Sequence, residues 1–530
     1  STEDTAQKEP PSYNALGPAL LCVILIAALY FFATGYYGRK FADSVKISRA
    51  AIVTAFMLAF VLRLFIAIKV EGYSTDLSCF KGWARLIHEH GLSGFYEADF
   101  FSDYPPAYMY VLWVLGGLQR LFSIPSGVMT VIIKLPAILC DLGLAYIAYR
   151  FSKKHIGAGS GILMSITLLI SPLLIIASSA WAQIDSVFTL ITVCIFILLY
   201  KNKNIAAFSL WMLLLLTKPQ ALLIAPVMAF VVLYELIKKD TRRAILKDVL
   251  ISIPIMFAIY TVVSLPMKGN QGFFYVFTNM FGTVGEYNYA SVNAINFFSL
   301  LGANFKNADS AFLFTNYSTA GWVFIALSTV AAGTLYFIKG DRKNIFSVGA
   351  LYLSSIFMFA HQMHERYIYP AVILLLFAAI IYNSRKIFAS YLALSATSFL
   401  NIYTVLVYNM ADSGAIDDAL TRFLSLLNLA AFIWTAYYVI KAMLDKDNSR
   451  LSYNELAPEP FSARSLKSAK NRLNDDEISD KSAKQNRRSI YRLKLWVCVY
   501  PSAAMKAKIG NAIRPTQVIH SCAGNTVAHR

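Results

Sequence analysis

Residues 50–70 read AAIVTAFMLAFVLRLFIAIKV and residues 71–106 continue EGYSTDLSCFKGWARLIHEHGLSGFYEADFFSDYPP, an apolar run followed by a polar stretch. The apolar run has the roughly 20 residues that an α-helix needs to span a bilayer. The polar stretch carries Asp76 and Asp103. A carboxylate at a membrane edge is costly unless it is hydrated or paired, so it marks a functional site by default. The segment therefore indicates a membrane protein with chemistry in the loop that follows a span.

Apolar runs of similar length recur along the chain, among them residues 16–36 and 387–408. Of the 530 residues, 57% are hydrophobic and only 15% are charged. Because helices satisfy their own backbone hydrogen bonds in lipid, this pattern predicts an all-α, polytopic membrane protein. The multi-pass domain is expected to cover residues 15–446.

The two ends of the chain differ in composition from the apolar middle. Residues 1–14 form a polar segment and, with the long apolar run behind them, do not read as a cleavable signal peptide. Residues 447–530 read as a basic, disordered cytoplasmic tail, although 493–530 suggest no role. The basic runs of the tail would either contact anionic headgroups or simply be solvated.

Hydrophobic runs and basic loops together predict about 13 spans, with the amino terminus outside and the carboxyl terminus inside. The formal charge of +18 lies mainly in short loops and in the tail, as the positive-inside rule predicts for cytoplasmic segments. Membrane lipids are therefore expected partners, and nucleic acid is not. The predicted spans lie near residues 15–36, 48–70, 127–149, 157–178, 184–200, 204–217, 220–237, 247–266, 319–338, 345–361, 366–383, 387–409 and 420–441.

Residues 107–122 are apolar but are not counted as a span. If they crossed the membrane, every later basic loop would move outside, so we expect this short amphipathic segment to lie along the interface or to re-enter. The resulting topology places six polar segments on the extracytoplasmic side. These are Asp76, Asp103, Gln183-Ile-Asp185, Lys218, the 267–318 loop and His361–Arg366.

Asp76 is the first candidate for chemistry. A carboxylate at the outer end of a span can accept a proton from an attacking hydroxyl. A hydrated loop aspartate is the plainer interpretation. In Asp103-Tyr104-Pro-Pro, the two prolines suit the first turn of a helix, and Asp103 could act as its N-cap.

His361-Gln-Met-His364-Glu365-Arg366 is the densest polar motif. His361 and His364 would share a face if the segment were helical, but two histidines without a third ligand make a metal site a minority interpretation. No metal or other cofactor is expected. The planar fork of Arg366 suits a phosphate, or it could instead reach to lipid headgroups.

Four further positions have two interpretations each. Lys134 and Asp141 lie seven residues apart on one predicted span, so they would form a structural ion pair in the membrane, or Lys134 would meet a phosphate. Asn293 and Asn296 in the 267–318 loop would bind sugar hydroxyls or cap turns.

Several motifs, taken in order, resemble bacterial membrane mannosyltransferases related to the second GPI mannosyltransferase, which are GT-C-type glycosyltransferases. Some of them are also similar to the glucosyltransferases of lipid-linked oligosaccharide synthesis. The resemblance runs from about residue 45 to 440, and leaves the first apolar run and the tail unmatched. The motifs are the Asp76 segment, Phe80-Lys-Gly-Trp83-Ala, Phe95-Tyr96, Asp103-Tyr-Pro-Pro106, Trp181-Ala-Gln183-Ile-Asp185-Ser, Leu216-Thr-Lys218-Pro-Gln220 and His364-Glu-Arg366.

The resemblance implies a GT-C-like fold with interfacial helices in the first external loop. It implies that Asp76 is the catalytic base and that the sugar donor is a polyprenyl phosphate bound near the outer leaflet. The site would then face outward from a bacterial cell membrane. The expected substrate-binding residues are Asp103, Tyr104, Gln183, Asp185, Lys218, Gln220, Asn293, Asn296, His361, His364, Glu365 and Arg366.

Two functions from different classes fit these observations. The first is inverting transfer of a hexose, with mannose the expected sugar, to a hydroxyl of a lipid, glycan or protein acceptor. The second is transport or flipping of a lipid-linked glycan. A transporter is expected to show half-repeat symmetry, and none is evident in the sequence. The sequence names neither the sugar nor the acceptor.

Overall fold

A computed structural model describes residues 48–97, 102–283, 287–410 and 418–445, together with residues 25, 28 and 29. Apart from one small hairpin, in which β1 (Ala311–Phe312) pairs antiparallel with β2 (Thr315–Asn316), the regular elements of the described part are helices. The all-α prediction is thus confirmed. The predicted polar segment 1–14 and tail 447–530 lie outside the described residues, as does the predicted first span apart from those three positions.

The α-helices are numbered here in chain order. They are α1 (Arg49–Lys69), α2 (Ser74–Gly94), α3 (Pro106–Leu121), α4 (Ser126–Ile156), α5 (Ala158–Leu169), α6 (Pro172–Ile175), α7 (Asp185–Tyr200), α8 (Asn204–Leu215), α9 (Ala225–Ile237), α10 (Lys239–Ser264), α11 (Tyr275–Thr283), α12 (Phe297–Leu300), α13 (Tyr317–Lys339), α14 (Ile345–Phe359), α15 (Tyr369–Tyr382), α16 (Arg385–Met410) and α17 (Asp418–Leu444). A π-helix covers Ile176–Trp181, and 3₁₀ turns cover Phe95–Glu97, Pro219–Ile224, Leu265–Met267 and Arg342–Asn344.

Every predicted span after the first has a helical counterpart. Seven helices are long and apolar enough to cross a membrane: Arg49–Lys69, Ser126–Ile156, Pro219–Ile237, Lys239–Met267, Tyr317–Lys339, Arg385–Asn409 and Asp418–Leu444. Four predicted spans correspond to the shorter helices α7, α8, α14 and α15. The core of the protein lies around α15, whose residues from Tyr369 to Ile380 are all buried. This is the arrangement of a polytopic helical membrane protein.

The predicted span 157–178 is broken in the structure. Helix α5 ends at Leu169, and the chain continues as Pro172–Trp181 after a bend of 41°. Pro172 explains the break, because proline lacks the N–H that would continue the helix and disfavours helical angles in the residue before it. The second half then widens into the π-helix, which brings Trp181 to the end of the bundle where α2 begins.

The loop between α1 and α4 contains two packed helices, α2 and α3. Helix α2 loses helical geometry at Gly91, which has φ +72°, as expected for the end of that run. Pro106 occupies the first turn of α3, but the N-cap position belongs to Pro105. The prediction that Asp103 caps this helix is therefore wrong. Instead, the backbone N–H of Ala107 donates to the Leu216 carbonyl at 2.8 Å, which ties the start of α3 to the segment before Lys218.

Helix α3 has the properties expected of an interfacial segment. It is 16 residues long, shorter than the seven candidate spans. One of its faces packs on α2 through the buried Met109 and Leu112, with Gly116 so close to Ala84 that a Cβ would lie 2.4 Å from that carbonyl oxygen. Its other face exposes apolar side chains, which suits contact with lipid. These are Trp113, Val114, Leu118, Leu121 and Phe122.

Several loops predicted to be cytoplasmic gather at the opposite end of the bundle from Asp76. Arg342 donates to the Leu199 carbonyl at 2.8 Å and to Asn204 Oδ1 at 2.6 Å, and pairs with Glu235 at 3.2 Å. Asn204 in turn donates to Asp248 at 2.8 Å. These contacts join the ends of α7, α9 and α13, so the basic loops share one side as the charge pattern predicts.

We predict that cysteines introduced at Tyr104 and at Phe122 both react with a membrane-impermeant thiol reagent added outside intact cells. The reason is that α3 is predicted to lie along the membrane and not to cross it. The background carries Cys79→Ser, and Lys203→Cys serves as the cytoplasmic control. Labelling of position 122 only after the cells are opened would overturn the topology and the side assigned to each later loop.

Candidate active site

Asp76 lies in the first turn of α2 and accepts hydrogen bonds from residues at the end of the π-helix and just after it. Its Oδ2 accepts hydrogen bonds from Trp181 Nε1 at 2.7 Å and from Gln183 Nε2 at 2.5 Å. Among the described residues, its Oδ1 takes no such bond. Two donors on one oxygen fix the plane of the carboxylate, and the second oxygen is left to meet a substrate.

The backbone around residue 182 aims both donors at the carboxylate. Ala182 has φ +79°, in the left-handed region that a residue with a Cβ adopts at a cost. The Gln183 N–H donates to the Ala177 carbonyl at 2.9 Å, across the widened π-turn. This geometry lets side chains two positions apart, Trp181 and Gln183, reach the same oxygen. A regular helix would point them in different directions.

The two donors that hold Asp76, Trp181 and Gln183, form a clamp. Two cations and two further carboxylates adjoin this Trp181–Gln183 clamp. Lys218 Nζ lies 2.8 Å from Asp185 Oδ1, and Arg366 Nε lies 3.6 Å from Asp185 Oδ2. Arg366 Nη1 donates to Glu365 Oε1 at 2.5 Å, and its guanidinium lies 5.6 Å from the Trp181 ring. The side chains of Asp185, Lys218 and Glu365 are almost wholly buried. The cluster is thus a charge network in which neither cation is solvated as a lone ion.

Burial and neighbouring charge shift the protonation of the surrounding groups. Burial raises the pKa of Glu365, against the opposing effect of Arg366. Burial lowers the pKa of His364 well below its usual value, and Arg366 and Lys218 lower it further, so this imidazole is neutral near pH 7. Burial, together with the adjacent Asp103, raises the pKa of Tyr104 well above its usual value, so its hydroxyl keeps a proton to donate.

A cavity of about 500 Å³ opens beside this network. Its polar part includes Asp103, Tyr104, Gln220, His361 and His364. Its remaining walls are largely apolar and come from the 3₁₀ turn before α9 and from α13, with Leu222, Leu223, Trp322 and Ile325 among them. The cavity therefore has a polar end next to the charge network and an apolar end.

Two buried atoms at the polar end of the cavity, Gln220 Oε1 and His361 Nδ1, have no hydrogen-bond partner among the described residues. The same holds for Gln183 Oε1, beside Asp76. The amide nitrogen of Gln220 donates to the Tyr367 hydroxyl at 2.8 Å, so its oxygen is oriented but unused. Buried acceptors without partners are costly, which suits a site that completes its hydrogen bonds with a ligand rich in hydroxyl groups.

The structure thus brings most of the predicted site residues together, but not all. Asn293 and Asn296 do not line the cavity. Asn296 caps α12 by accepting from the Ser299 N–H at 3.0 Å, which supports the capping interpretation for this residue, whereas Asn293 Oδ1 accepts from Asn304 Nδ2 at 3.1 Å. The segment His361–Tyr367 is not helical, so the two histidines do not share a helical face.

No group of three or more metal-ligating side chains occurs in the residues that the structure describes. A larger groove, of about 1060 Å³, lies on the outer side of α2 and is lined by Lys81, Arg85 and Arg120. None of the predicted site residues lines it, so its size alone does not make it the active site.

The sequence did not assign the roles of Trp181 and Tyr367. Trp181 stands in the Trp-Ala-Gln-Ile-Asp motif, but nothing in the spacing shows that its ring N–H meets a carboxylate more than a hundred positions earlier. Tyr367 contacts both Gln220 and Lys218, the latter at 5.8 Å from its ring. The residue types were the one available signal: buried Trp and Tyr usually form a hydrogen bond through the ring N–H or the hydroxyl, so each was expected to have a polar partner.

No family model matches the chain, and no curated protein matches it. Among solved structures, the chain is similar to the crystal structure of ArnT from Cupriavidus metallidurans bound to undecaprenyl phosphate, with a TM-score of 0.40 and 14% sequence identity. The match covers 76% of this chain and 79% of that chain. At this distance, the function has to be inferred from the site itself.

We predict that Gly72→Ala destabilises the protein. Gly72 has φ +98°, and a Cβ there would lie 2.8 Å from the Ala180 carbonyl oxygen, so both the backbone and the clamp segment must shift. The expected cost is about 1–3 kcal/mol. It is measured as a lower apparent midpoint of thermal unfolding in detergent. Gly82→Ala on α2 is the matched control, because its Cβ meets nothing within 4 Å. Equal midpoints for the two variants would contradict this packing.

Proposed function

We propose that the protein is a GT-C-type glycosyltransferase that moves a hexose from a polyprenyl-phosphate donor to an acceptor hydroxyl outside the membrane. The observation that carries the proposal is the carboxylate of Asp76, held by two donors beside a cationic network and a cavity with one polar and one apolar end. Mannose is the proposed sugar, on the motif resemblance alone. The proposed location is a bacterial cell membrane with the site facing outward.

In the proposed reaction, Asp76 takes the proton from the acceptor hydroxyl as its oxygen attacks the anomeric carbon. The bond from that carbon to the phosphate oxygen breaks, and polyprenyl phosphate leaves with the electron pair. Attack from the side opposite the leaving group inverts the anomeric centre. The fixed orientation of the carboxylate supports this role, because a general base must lie within hydrogen-bond reach of the proton that it removes.

Arg366 and Lys218 are the groups proposed to stabilise the leaving phosphate. A fixed cation placed where negative charge develops lowers the barrier without reorganisation of solvent. Arg366 has five N–H donors, and its contacts with Asp185 and Glu365 involve Nε and Nη1, which leaves further donors on the fork. Asp185 and Glu365 partly neutralise both cations, so they also keep the empty site stable in a region of low polarity.

The amphipathic cavity supports a lipid-linked donor. At Thr329, which also lines the cavity, a second groove of about 580 Å³ begins and follows α9 and α13 as far as Ile338. Its walls are almost entirely apolar, and Leu233, Val330 and Ile338 are exposed on the surface of the protein. Such a groove suits an isoprenoid chain, with the phosphate and the sugar at the polar end.

The second candidate is a transporter or flippase of a lipid-linked glycan. It shares the polytopic fold and the buried charges. A flippase has to carry a polar headgroup across the membrane. The groove along α13 has apolar walls, which do not suit a polar headgroup, so we favour the transferase. The acceptor is proposed to be a lipid, glycan or protein hydroxyl. Both proposals are tested with purified protein in lipid, supplied with radiolabelled polyprenyl-phosphate mannose or glucose. A transferase moves the label from the donor to an acceptor, whereas a flippase leaves the label on the donor.

We predict that Asp76→Asn abolishes transfer and leaves folding intact. The amide keeps the shape of the side chain but cannot take a proton, and general base catalysis is typically worth about 10²–10⁴-fold. The measurement is initial rate in reconstituted vesicles at saturating donor. Asp309→Asn, in an exposed external loop, is the control and is expected to behave as wild type. Activity of the Asp76 variant above about a tenth of wild type would rule out the base.

We predict that Arg366→Lys impairs use of the donor by about ten- to a hundredfold, through loss of a charge-assisted contact worth roughly 1.5–3 kcal/mol. Lysine keeps the charge but replaces a planar fork with a point donor. Kinetics with varied lipid donor measure the effect, and Arg120→Lys, at an exposed position of α3, is the matched control. If Arg366 only anchors the chain at headgroups, the substitution will be silent, since lysine reaches headgroups equally well.

A further inference from the structure

A second polar network lies within the helix bundle, centred on Asp141 of α4. Asp141, Arg63 and Ser178 are fully buried, and Tyr369 is as well. Asp141 Oδ2 lies 3.3 Å from Arg63 Nε and accepts from the Ser178 hydroxyl at 2.6 Å. Its Oδ1 accepts from the Tyr369 hydroxyl at 3.2 Å. The expectation that Asp141 pairs with Lys134 is therefore wrong.

Each partner of Asp141 belongs to a segment that carries part of the active site. Ser178 lies in the π-helix, three residues before Trp181. Tyr369 begins α15, three residues after Arg366. Arg63 lies on α1, the helix that leads into Asp76, and donates to the Leu169 carbonyl at 2.6 Å and the Leu168 carbonyl at 3.3 Å. One carboxylate thus touches the elements that hold the clamp, the cation and the base.

Arg63 also donates to backbone carbonyls at the helix break. The carbonyls of Leu168 and Leu169 end α5, and Pro172 has no N–H to offer the Leu168 carbonyl, which accepts instead from the Ser171 N–H at 3.3 Å. A guanidinium with several donors meets both carbonyls and the carboxylate together. Lys134 of α4 makes a second contact with α1, one turn after Arg63. Its ammonium donates to the Val70 carbonyl at 2.6 Å and to the Ala67 carbonyl at 3.2 Å.

We propose that Asp141 is the positioning residue of the site: with Arg63, Ser178 and Tyr369, it fixes the bent helix and α15 so that the Trp181–Gln183 clamp meets Asp76 beside Arg366. It touches no substrate and acts only through these partners. An ionised pair buried within a membrane costs free energy to maintain, which argues that it serves a purpose beyond packing. The inference rests on the proposed function for its catalytic consequence, but its geometric part stands apart from it.

The test uses two variants that each remove one bond from Asp141 and keep its ion pair, Ser178→Ala and Tyr369→Phe. Asp141→Asn is less useful, because it leaves Arg63 unpaired in the membrane and puts folding at risk. Two matched controls remove buried hydroxyls elsewhere: Ser425→Ala, whose hydroxyl donates to the Thr421 carbonyl at 2.7 Å, and Tyr336→Phe, whose hydroxyl has no partner among the described residues.

Two readouts separate positioning from general loss of structure. The first is the steady-state kinetics of transfer with varied lipid donor. We expect kcat to fall about ten- to a hundredfold, since small misplacement of a reacting group has this effect, while KM for the donor changes less than about twofold. The second is the ¹⁹F chemical shift of 5-fluorotryptophan at position 181, assigned with Trp181→Phe. We expect the shift to move in both variants and to stay at the wild-type value in both controls.

The outcomes decide between the alternatives. If the two variants match their controls in kcat and in the ¹⁹F shift, Asp141 is not a positioning residue. A lower kcat with an unmoved ¹⁹F shift overturns the proposal as well, because the loss would not pass through the clamp. If Asp76→Asn retains activity, the proposed function fails, whereas the ¹⁹F shift still judges whether Asp141 holds the clamp.

Discussion

The hydrogen bonds from Trp181 and Gln183 to one oxygen of Asp76 are the contacts on which the site depends. They join the beginning of α2 to the segment after the broken helix, two parts of the chain that no regular element connects. The positive φ values at Gly72 and Ala182 make that meeting possible, since one allows close approach of the two backbones and the other turns the donors toward the carboxylate. Strain of this kind is typical of functional sites.

The charged residues fall into two layers that differ in what they contact. The upper layer, with Asp185, Lys218 and Arg366, lies behind the cavity wall, where Lys218 sits 5.8 Å from the ring of the wall residue Tyr367. The lower layer, with Arg63 and Asp141, is closed on every side by helices. The two layers meet at Ser186 and Tyr369, whose hydroxyls lie 3.1 Å apart. Within the described residues, the carboxylates and cations of these two layers are paired, and hydroxyl contacts link one layer to the other.

Much of this arrangement was predictable from the sequence. Apolar runs predicted each described span, because lipid imposes length and composition directly. Charge placed residues 107–122 along the membrane, and the structure gives a 16-residue helix there, Pro106–Leu121. The motif resemblance picked Asp76, Lys218 and Arg366, which the structure brings into one region.

What the sequence did not predict depends on contacts between distant residues. The bend at Pro172 looked like part of one span, since Pro is tolerated in membrane helices when neighbours satisfy the freed groups, and here the neighbour is Arg63. The pairing of Asp141 with Arg63 was also missed, because the two residues are far apart in the sequence and spacing alone favoured Lys134 as the partner. Asn296 illustrates the reverse case: an amide that suits a sugar is used to cap a short helix.

The apolar groove along α9 and α13 has a consequence for how the proposed reaction would be measured. A donor that enters through it arrives by diffusion within one leaflet, so its effective concentration is its mole fraction among the lipids. Diluting the leaflet with inert lipid at constant bulk donor would then slow the reaction, whereas diluting the whole suspension would not. A Michaelis constant for this protein would accordingly be a surface density, and values obtained at different lipid-to-protein ratios become comparable only in those units.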